Sequence, residues 1–163
     1  MSRIYLARHG ATSWSESGQH TSFTDLDLTP DGETAAKALG DRLRGRQFGL
    51  VLVSPRLRAR RTAELAGVTD AVTDDDLVEW DYGDYEGLTT DQIRESDPGW
   101  TVFTAPSPTG ETAAQVGMRA DRVLAARWLR QEPAFGAHLE LAVSTLSNLG
   151  WERETPTVET WNA

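Results

Sequence analysis

A histidine between an arginine and a glycine is the first place where this chain could carry out chemistry. Residues 3–8 have the pattern of a strand, and His9 and Gly10 end it. A neutral histidine nitrogen at such a strand end can attack phosphorus while the neighbouring guanidinium of Arg8 neutralises the phosphoryl oxygens. A histidine at a strand end is more often structural, so this tripeptide alone is weak evidence for catalysis.

A cluster of arginines is the second such feature. All but one of the 16 cationic residues are arginines, and four of them fall within one short segment: Arg56, Arg58, Arg60 and Arg61. Guanidinium groups match phosphate oxygens in pairs, so an acidic protein that concentrates arginines often binds a small anion there. We expect one of Arg56 and Arg58 to bind an anion. For Arg60 and Arg61 we expect contacts with carboxylates along a helix face.

The segments around these two features alternate between strands and helices. A helix is predicted to begin with Thr29 as its N-cap and Pro30 in its first position, and to end near Gly45. Residues 50–53 form an apolar run typical of a strand buried on both faces, and a second helix is expected over residues 55–66. This order indicates an α/β domain of three layers, with a mostly parallel sheet and helices on both faces. Ligands of such domains bind beyond the carboxyl ends of the strands, where both features lie.

Length and composition limit what the chain can be. At 163 residues it has the size of one domain, which we expect to span residues 1–163. Acidic residues outnumber basic ones by 25 to 16, and the resulting net charge of −9 disfavours binding to nucleic acid or to an anionic membrane. No apolar run reaches the roughly 20 residues that cross a bilayer, no export signal is visible, and cysteine is absent. We therefore expect a cytoplasmic protein.

Four blocks of sequence, in order along the chain, resemble the histidine phosphatase superfamily, which includes the phosphoglycerate mutases. The first two are residues 6–15, LARHGATSWS, and residues 24–33, TDLDLTPDGE. The other two are residues 54–62, SPRLRARRT, and residues 79–87, EWDYGDYEG. The resemblance implies a single domain with a phosphoglycerate mutase-like α/β fold.

The resemblance also implies a role for each matching residue. His9 would be the nucleophile that forms a phosphohistidine, and Arg8 and Arg58 would hold the phosphoryl oxygens. In the family the phosphate-binding arginine directly precedes the alanine, which selects Arg58 and leaves Arg56 at the surface. Glu79 would protonate the leaving alkoxide and then activate water. The partner is a small phosphate ester, and no cofactor or metal ion is implied.

Three further residues match positions that resemble substrate-lining ones: Ser15, Thr21 and Tyr82. The amino-acid sequence of residues 18–21, 54–62 and 74–80 is most similar to that of small sugar-phosphate phosphatases, sedoheptulose bisphosphatase among them. A mutase also needs long covering loops that exclude water from the phosphoenzyme, and we find little sequence for such a cover. We therefore predict hydrolysis of phosphomonoesters, in particular sugar phosphates, in preference to a mutase reaction.

One part of the family pattern has no counterpart. The family carries a second catalytic histidine late in the chain, at the end of another strand, whereas the remaining histidines here are His20, in an early loop, and His138. His138 lacks the preceding strand and the following glycine, so we expect an ordinary surface or strand residue. Residues 118–123 resemble the helix before the missing strand, and they run directly into residues 124–129, which resemble the helix after it.

The gap corresponds to about 20 residues, the length of a strand with part of a helix and their loops. The missing strand would lie beside the first strand, because both histidines must reach one phosphorus. Its loss would leave backbone groups unpaired, at about 1 to 3 kcal/mol for each buried group. Either the sequence is incomplete around Val123, or the chain rearranges or recruits a partner strand. We expect a sheet without one central strand and an impaired catalyst.

Three functions remain open on this evidence. The first is a phosphomonoesterase that works through His9, and the second is a catalytically degenerate relative that binds phosphate esters without turnover. The third is a nucleic-acid-binding patch at residues 56–61, which the net charge and the lack of interleaved aromatic residues disfavour. Assembly into a homo-oligomer is also left open.

Overall fold

A computed structural model describes residues 4–123, 142–143, 145–152 and 155–163. Its helices and strands, in chain order, are β1 (Ile4–Ala7), α1 (Ser13–Ser17), α2 (Pro30–Leu43), β2 (Leu52–Val53), α3 (Leu57–Leu65), β3 (Val72–Thr73), α4 (Thr90–Ser96), α5 (Ala113–Val123), β4 (Leu146–Glu152) and β5 (Thr155–Thr160). Two short 3₁₀ turns, Asp75–Leu77 and Gly83–Tyr85, lie between β3 and α4.

The described strands form two sheets. Strand β1 pairs antiparallel with β4, and β4 pairs antiparallel with β5, while β2 and β3 form a separate parallel pair. Only two residues separate β4 from β5 in the sequence, and so short a connection permits an antiparallel pairing but not a parallel one. The sequence predicted a mostly parallel sheet, whereas the described pairings comprise one parallel and two antiparallel ones.

The second predicted strand is shorter and more exposed than its apolar sequence indicated. Strand β2 spans Leu52–Val53, and its only partner among the described residues is β3. The Leu52 side chain is 37% exposed, and Leu50, just before the strand, is 67% exposed. Burial on both faces requires a layer of structure on each side of the strand. The prediction that residues 50–53 are buried on both faces is therefore wrong.

The first predicted helix begins and ends close to where its capping residues placed it. The Thr29 hydroxyl accepts a hydrogen bond from Gly32 N at 3.1 Å, and Pro30 is the first residue of α2. The helix ends at Leu43, and Gly45 follows with a φ of 76°, a left-handed conformation that glycine adopts without steric strain. Helix α3 begins two residues later and ends one residue earlier than predicted. Local sequence therefore determines both helices.

The loop after β1 is held against α2 and α3 by close backbone contacts. A Cβ on Gly10 would lie 2.5 Å from the carbonyl oxygen of Gly32, so only glycine permits this approach. Thr29 N donates to the Ala11 carbonyl at 2.8 Å, and Gly10 N donates to the Thr62 hydroxyl at 2.9 Å. These contacts fix the backbone on both sides of the loop that follows His9.

The later part of the chain is described only in part. Helix α5 begins two residues after the start of the helical stretch predicted for residues 111–130, and residues 124–130 of that stretch lie outside the described residues, as does His138. Strands β4 and β5 supply strand-like pieces that the sequence predicted for the tail. Within the described ranges, none of the helices has the length and apolar character needed to cross a membrane.

Candidate active site

Six of the seven predicted site residues line one cleft of about 180 Å³. They are Arg8, His9, Ser15, Thr21, Glu79 and Tyr82. The cleft is built by three segments, residues 8–15, 18–21 and 79–82, and it lies where the chain leaves β1. A larger groove of about 760 Å³, beside the C-terminal half of α2, contains none of the predicted site residues.

His9 presents a neutral imidazole to the cleft. Its Nδ1 lies 2.8 Å from the Gly10 carbonyl oxygen, which can only accept a hydrogen bond, so the proton is assigned to Nδ1 and the lone pair to Nε2. Burial is the main reason why the pKa of His9 falls from 6.5 to about 4; the hydrogen bond to Gly10 raises it, and the charges of Arg58 and Arg8 lower it. The ring is therefore unprotonated at neutral pH, as a nucleophile must be.

Arg58 does not line the cleft but contacts the backbone of Thr21, which does. Arg58 is 3% exposed, and its guanidinium donates to the main-chain carbonyl oxygens of Thr21, Ser22 and Thr24 at 3.2, 3.4 and 3.4 Å. These contacts account for three of its five N–H donors. Its positive charge is close enough to His9 to lower the pKa of that ring. Direct contact of Arg58 with a phosphoryl group stays a prediction.

The other arginines of the cluster make different contacts. Arg61 pairs with Glu33 at 3.3 Å and with Glu64 at 2.8 Å, which confirms the predicted helix-face pairing of this residue. Arg56, which was predicted to lie at the surface, is partly exposed and lies against the exposed Phe23. Its side chain is half-buried, because the guanidinium carbon stacks 4.3 Å from the centroid of the Phe23 ring.

Glu79 contributes an exposed carboxylate to the cleft. Its Oε1 accepts a hydrogen bond from Trp80 N at 2.9 Å, and its other oxygen, Oε2, takes no part in that bond. Its negative charge also helps to raise the pKa of Tyr82, for which burial is the larger cause. A carboxylate in the same cleft as a neutral imidazole is suited to proton transfer to and from a leaving oxygen.

The three predicted substrate-lining residues differ in how their hydroxyls are used. The Ser15 hydroxyl accepts from Thr12 N at 2.8 Å and completes the capping box of α1. The Thr21 hydroxyl donates to the Gln19 carbonyl at 3.2 Å. Because burial raises the pKa of Tyr82, its phenol stays protonated and can donate a hydrogen bond at neutral pH.

His20 lines the cleft although sequence spacing gave no reason to place it there. Its ring stacks on Tyr82 with centroids 4.5 Å apart, and its Nε2 lies 3.2 Å from the Thr90 hydroxyl. Burial lowers the pKa of His20, and the charge of Glu86 raises it by a smaller amount. Trp14 lines the same cleft. Both residues could have been assigned to the cleft from the sequence, because they lie in the block and the loop that resemble the family. No periodic pattern indicated them.

Glu86 binds the backbone of Ser22 and Thr24, which Arg58 also contacts. Its carboxylate accepts hydrogen bonds from Ser22 N and Thr24 N, each at 2.9 Å, and from the Ser22 hydroxyl. Burial raises the pKa of Glu86, but these hydrogen bonds outweigh it and leave the pKa below its ordinary value. The N–H groups of Ser22 and Thr24 are therefore bound by a carboxylate, and the carbonyls of residues 21, 22 and 24 are bound by a guanidinium, which fixes the segment that follows Thr21.

A neutral histidine just after a strand end, with two arginines and a carboxylate near it, is an arrangement suited to phosphoryl transfer. Comparison with known families agrees: the sequence pattern of the histidine phosphatase superfamily (branch 1) matches residues 4–126. This chain belongs to that superfamily. The resemblance drawn from the four sequence blocks is confirmed.

Similar proteins carry phosphatase and mutase names. The chain is 49% identical to an acid phosphatase of Mycobacterium tuberculosis, with 76% of this chain and 62% of the relative covered. It is 40% identical to the sedoheptulose 1,7-bisphosphatase of Saccharomyces cerevisiae, with 76% and 54% covered. The chain thus spans less than two thirds of the length of these two relatives.

A phosphoglycerate mutase and a solved structure match almost the whole chain. The 2,3-bisphosphoglycerate-dependent phosphoglycerate mutase of a Methylobacterium species is 34% identical, with 97% of this chain and 86% of the mutase covered. That alignment runs over 180 positions, more than the 163 residues of this chain, so part of the mutase has no counterpart here. The solved structure of an open reading frame product of Mycobacterium tuberculosis is 36% identical, with a TM-score of 0.90 and coverage of 98% and 96%. The phosphoglycerate mutase-like fold is confirmed.

Proposed function

We propose that this chain is a phosphomonoesterase whose nucleophile is His9. One observation carries the proposal: a hydrogen bond to the Gly10 carbonyl assigns the ring proton of a neutral His9 to Nδ1 and its lone pair to Nε2, and His9 lines a cleft that Arg8 and Glu79 also line. A nucleophile, a cation and a proton donor or acceptor are the three groups that phosphomonoester hydrolysis through a covalent intermediate requires.

The reaction proceeds in two displacements. In the first, Nε2 of His9 attacks phosphorus, the bond from phosphorus to the leaving oxygen breaks, and Glu79 gives its proton to that oxygen. In the second, Glu79 takes a proton from water, the water oxygen attacks phosphorus, and the bond from phosphorus to nitrogen breaks. His9 and inorganic phosphate are released. The Gly10 carbonyl, bound to Nδ1–H, stabilises the positive charge that the ring carries as a phosphohistidine.

The arginines offset the charge of the transferred group. Arg8 lines the cleft, and Arg58 extends a buried positive charge towards His9. A charge-assisted contact to phosphoryl oxygens grows stronger as charge builds on them in the transition state, so these residues affect the rate as well as the affinity.

We place the substrates among sugar phosphates. The small cleft of about 180 Å³ is lined mainly by polar side chains, and the protonated phenol of Tyr82 among them is suited to a hydroxyl of a sugar. The bisphosphatase name of the Saccharomyces relative supports the same class of substrate. Steady-state hydrolysis of a panel of sugar phosphates, with an aryl phosphate and a simple alkyl phosphate beside them, tests this choice.

We also propose that the chain lacks the strand that carries the second histidine of the family. Strand β1 has one partner among the described residues, β4, and two apolar residues are exposed, Leu50 just before β2 and Leu52 within it. The alignment with the Methylobacterium mutase likewise needs positions that this chain does not have. Because removal of one preorganised hydrogen-bond donor costs about 100- to 1,000-fold in rate, we expect slow hydrolysis.

A second candidate function follows from the proposed absence of the second histidine. If the missing histidine is indispensable, the cleft binds phosphate esters without turning them over, and the chain is a binding protein of this fold. Vanadate and phosphate binding by calorimetry, measured beside turnover of an aryl phosphate, separates the two functions. Turnover that is lost in His9→Ala supports the phosphatase, whereas tight binding with no turnover above the His9→Ala background supports the binding protein.

A further inference from the structure

The chain segment that carries Glu79 is attached to one largely buried ion pair. Glu111 lies just before α5 and Arg119 lies within that helix. Arg119 Nη2 contacts Glu111 Oε2 at 2.6 Å, and Arg119 Nε contacts Glu111 Oε1 at 2.8 Å. The two side chains are 16% and 21% exposed. Two parallel charge-assisted hydrogen bonds of this kind fix both groups in one geometry.

The ion pair binds the backbone on both sides of Glu79. On the N-terminal side, Arg119 Nη1 donates to the carbonyl oxygens of Asp76 and Val78 at 3.1 and 2.9 Å. On the C-terminal side, Asp81 N donates to Glu111 Oε2 at 2.9 Å. The pair is therefore attached one residue before Glu79 and two residues after it.

The main chain of Glu111 adds two more contacts to the same segment. Its N–H donates to the Asp81 carbonyl at 2.9 Å, and its carbonyl accepts from the indole nitrogen of Trp80, also at 2.9 Å. Trp80 follows Glu79 directly and is 8% exposed. By contrast, among the described residues the Glu79 side chain has a single hydrogen bond, the one from Trp80 N. The direction of the exposed carboxylate is thus determined mainly by its backbone.

We infer that Glu111 and Arg119 are positioning residues for Glu79, holding its backbone so that the carboxylate faces the cleft. This inference rests on the proposed function, in which Glu79 protonates the leaving oxygen. Glu111 stays charged in this role: burial raises its pKa, but the hydrogen bonds from Arg119 and Asp81 outweigh burial and leave the pKa lowered. Arg119 consequently keeps its anionic partner throughout the neutral range.

The basicity of the leaving group separates a positioning role from a merely structural one. An alkoxide leaves only with a proton, whereas a nitrophenolate leaves readily without one, so loss of the proton donor slows alkyl esters far more than aryl esters. A general loss of folded protein or of phosphate binding lowers both rates by the same factor. The ratio of the two rates therefore reports on the placement of Glu79.

The experiment measures kcat/KM of the full chain for p-nitrophenyl phosphate and for glycerol 3-phosphate. Glu79→Gln is the reference and should lose about 100-fold or more on the alkyl ester, with a much smaller loss on the aryl ester. Arg119→Met should reproduce that pattern, with a loss on the alkyl ester at least about tenfold larger than on the aryl ester. Arg44→Met is the matched control: among the described residues Arg44 pairs with the exposed Asp41 at the end of α2, away from the cleft, and both rates should be unchanged.

Three outcomes would overturn the inference or its basis. If Glu79→Gln shows the leaving-group dependence and Arg119→Met lowers both rates equally, Glu111 and Arg119 do not position Glu79. If Glu79→Gln shows no such dependence, the general-acid role in the proposed function fails, and the inference fails with it. Where Arg119→Met does not fold, Arg119→Lys keeps the charge but lacks the planar fork. Equal losses on both esters in that variant would also overturn the positioning role.

Discussion

Removal of the buried guanidinium of Arg58 should change both the binding of phosphate and the titration of His9. In Arg58→Met, a side chain of similar length replaces the cation, so the space under residues 21–24 stays filled. If Arg58 contacts the phosphoryl group, the loss of one charged hydrogen bond, worth about 1.5 to 3 kcal/mol, weakens phosphate binding by about 10- to 150-fold. Turnover should fall at least as much, because the contact strengthens in the transition state.

The structure also determines the direction in which the pKa of His9 changes in Arg58→Met. The charge of Arg58 lowers the pKa of His9, so its removal raises that pKa above its value of about 4. Since burial is the larger cause of the shift, the new pKa should remain below 6.5. Titration of the His9 ring by NMR measures this change, and calorimetry measures the phosphate dissociation constant.

Arg56→Met is the control for both measurements. Arg56 is an arginine of the same cluster, yet it stacks on Phe23 and is not among the groups that shift the pKa of His9. An Arg58→Met variant with an unchanged phosphate dissociation constant would show that Arg58 only holds residues 21–24. An unchanged or lower His9 pKa would refute the electrostatic reasoning as well.

Three further predictions concern pH, the loop after β1 and the strand that we propose the chain lacks. The pKa of His9 is depressed on folding from 6.5 to about 4, so the unfolded chain binds this proton more readily than the folded one. The free energy of unfolding should therefore fall by as much as about 3 kcal/mol as the pH drops from 6.5 towards 4. In a series of urea denaturations at different pH values, His9→Gln should show a smaller fall over this range. Thr62→Val should cost about 1 to 3 kcal/mol of unfolding free energy, because Gly10 N loses its acceptor, and an unchanged urea midpoint would contradict this. Insertion of a family-like strand with its histidine after Val123 should raise turnover by about 100- to 1,000-fold. An insertion variant no faster than the original chain would show that another group, such as His20 or His138, already does that work.

Features encoded by neighbouring residues were predictable from the sequence. Thr29 and Pro30 start α2 through a local hydrogen bond and a fixed backbone angle, and neither depends on the rest of the fold. The arrangement of Arg8 and His9 at the end of β1 follows from the strand pattern in the same way. That Glu79 shares their cleft was predicted only because of its block's resemblance to the family, since it lies 70 positions after His9 in the sequence.

Features that depend on distant partners were not predictable. Ile4 of β1 lies opposite Leu149, and no pattern within either strand specifies that pairing or its antiparallel direction. The stacking of Arg56 on Phe23 likewise joins two segments whose proximity exists only in the folded chain. His20 enters the cleft because Gln19 bridges to Thr89, a contact between remote loops. Local propensity cannot report such contacts, because tertiary packing decides them.

The central claim is that His9 carries the phosphoryl group during turnover. The most direct test mixes the full chain with a ³²P-labelled phosphate ester, quenches the reaction within milliseconds to minutes, and assays label bound to the protein by its stability in base and loss in acid. The account predicts acid-labile label that maps to the peptide containing His9 and disappears in His9→Ala. Acid-labile label that persists in His9→Ala, or turnover that is undiminished in that variant, would contradict it.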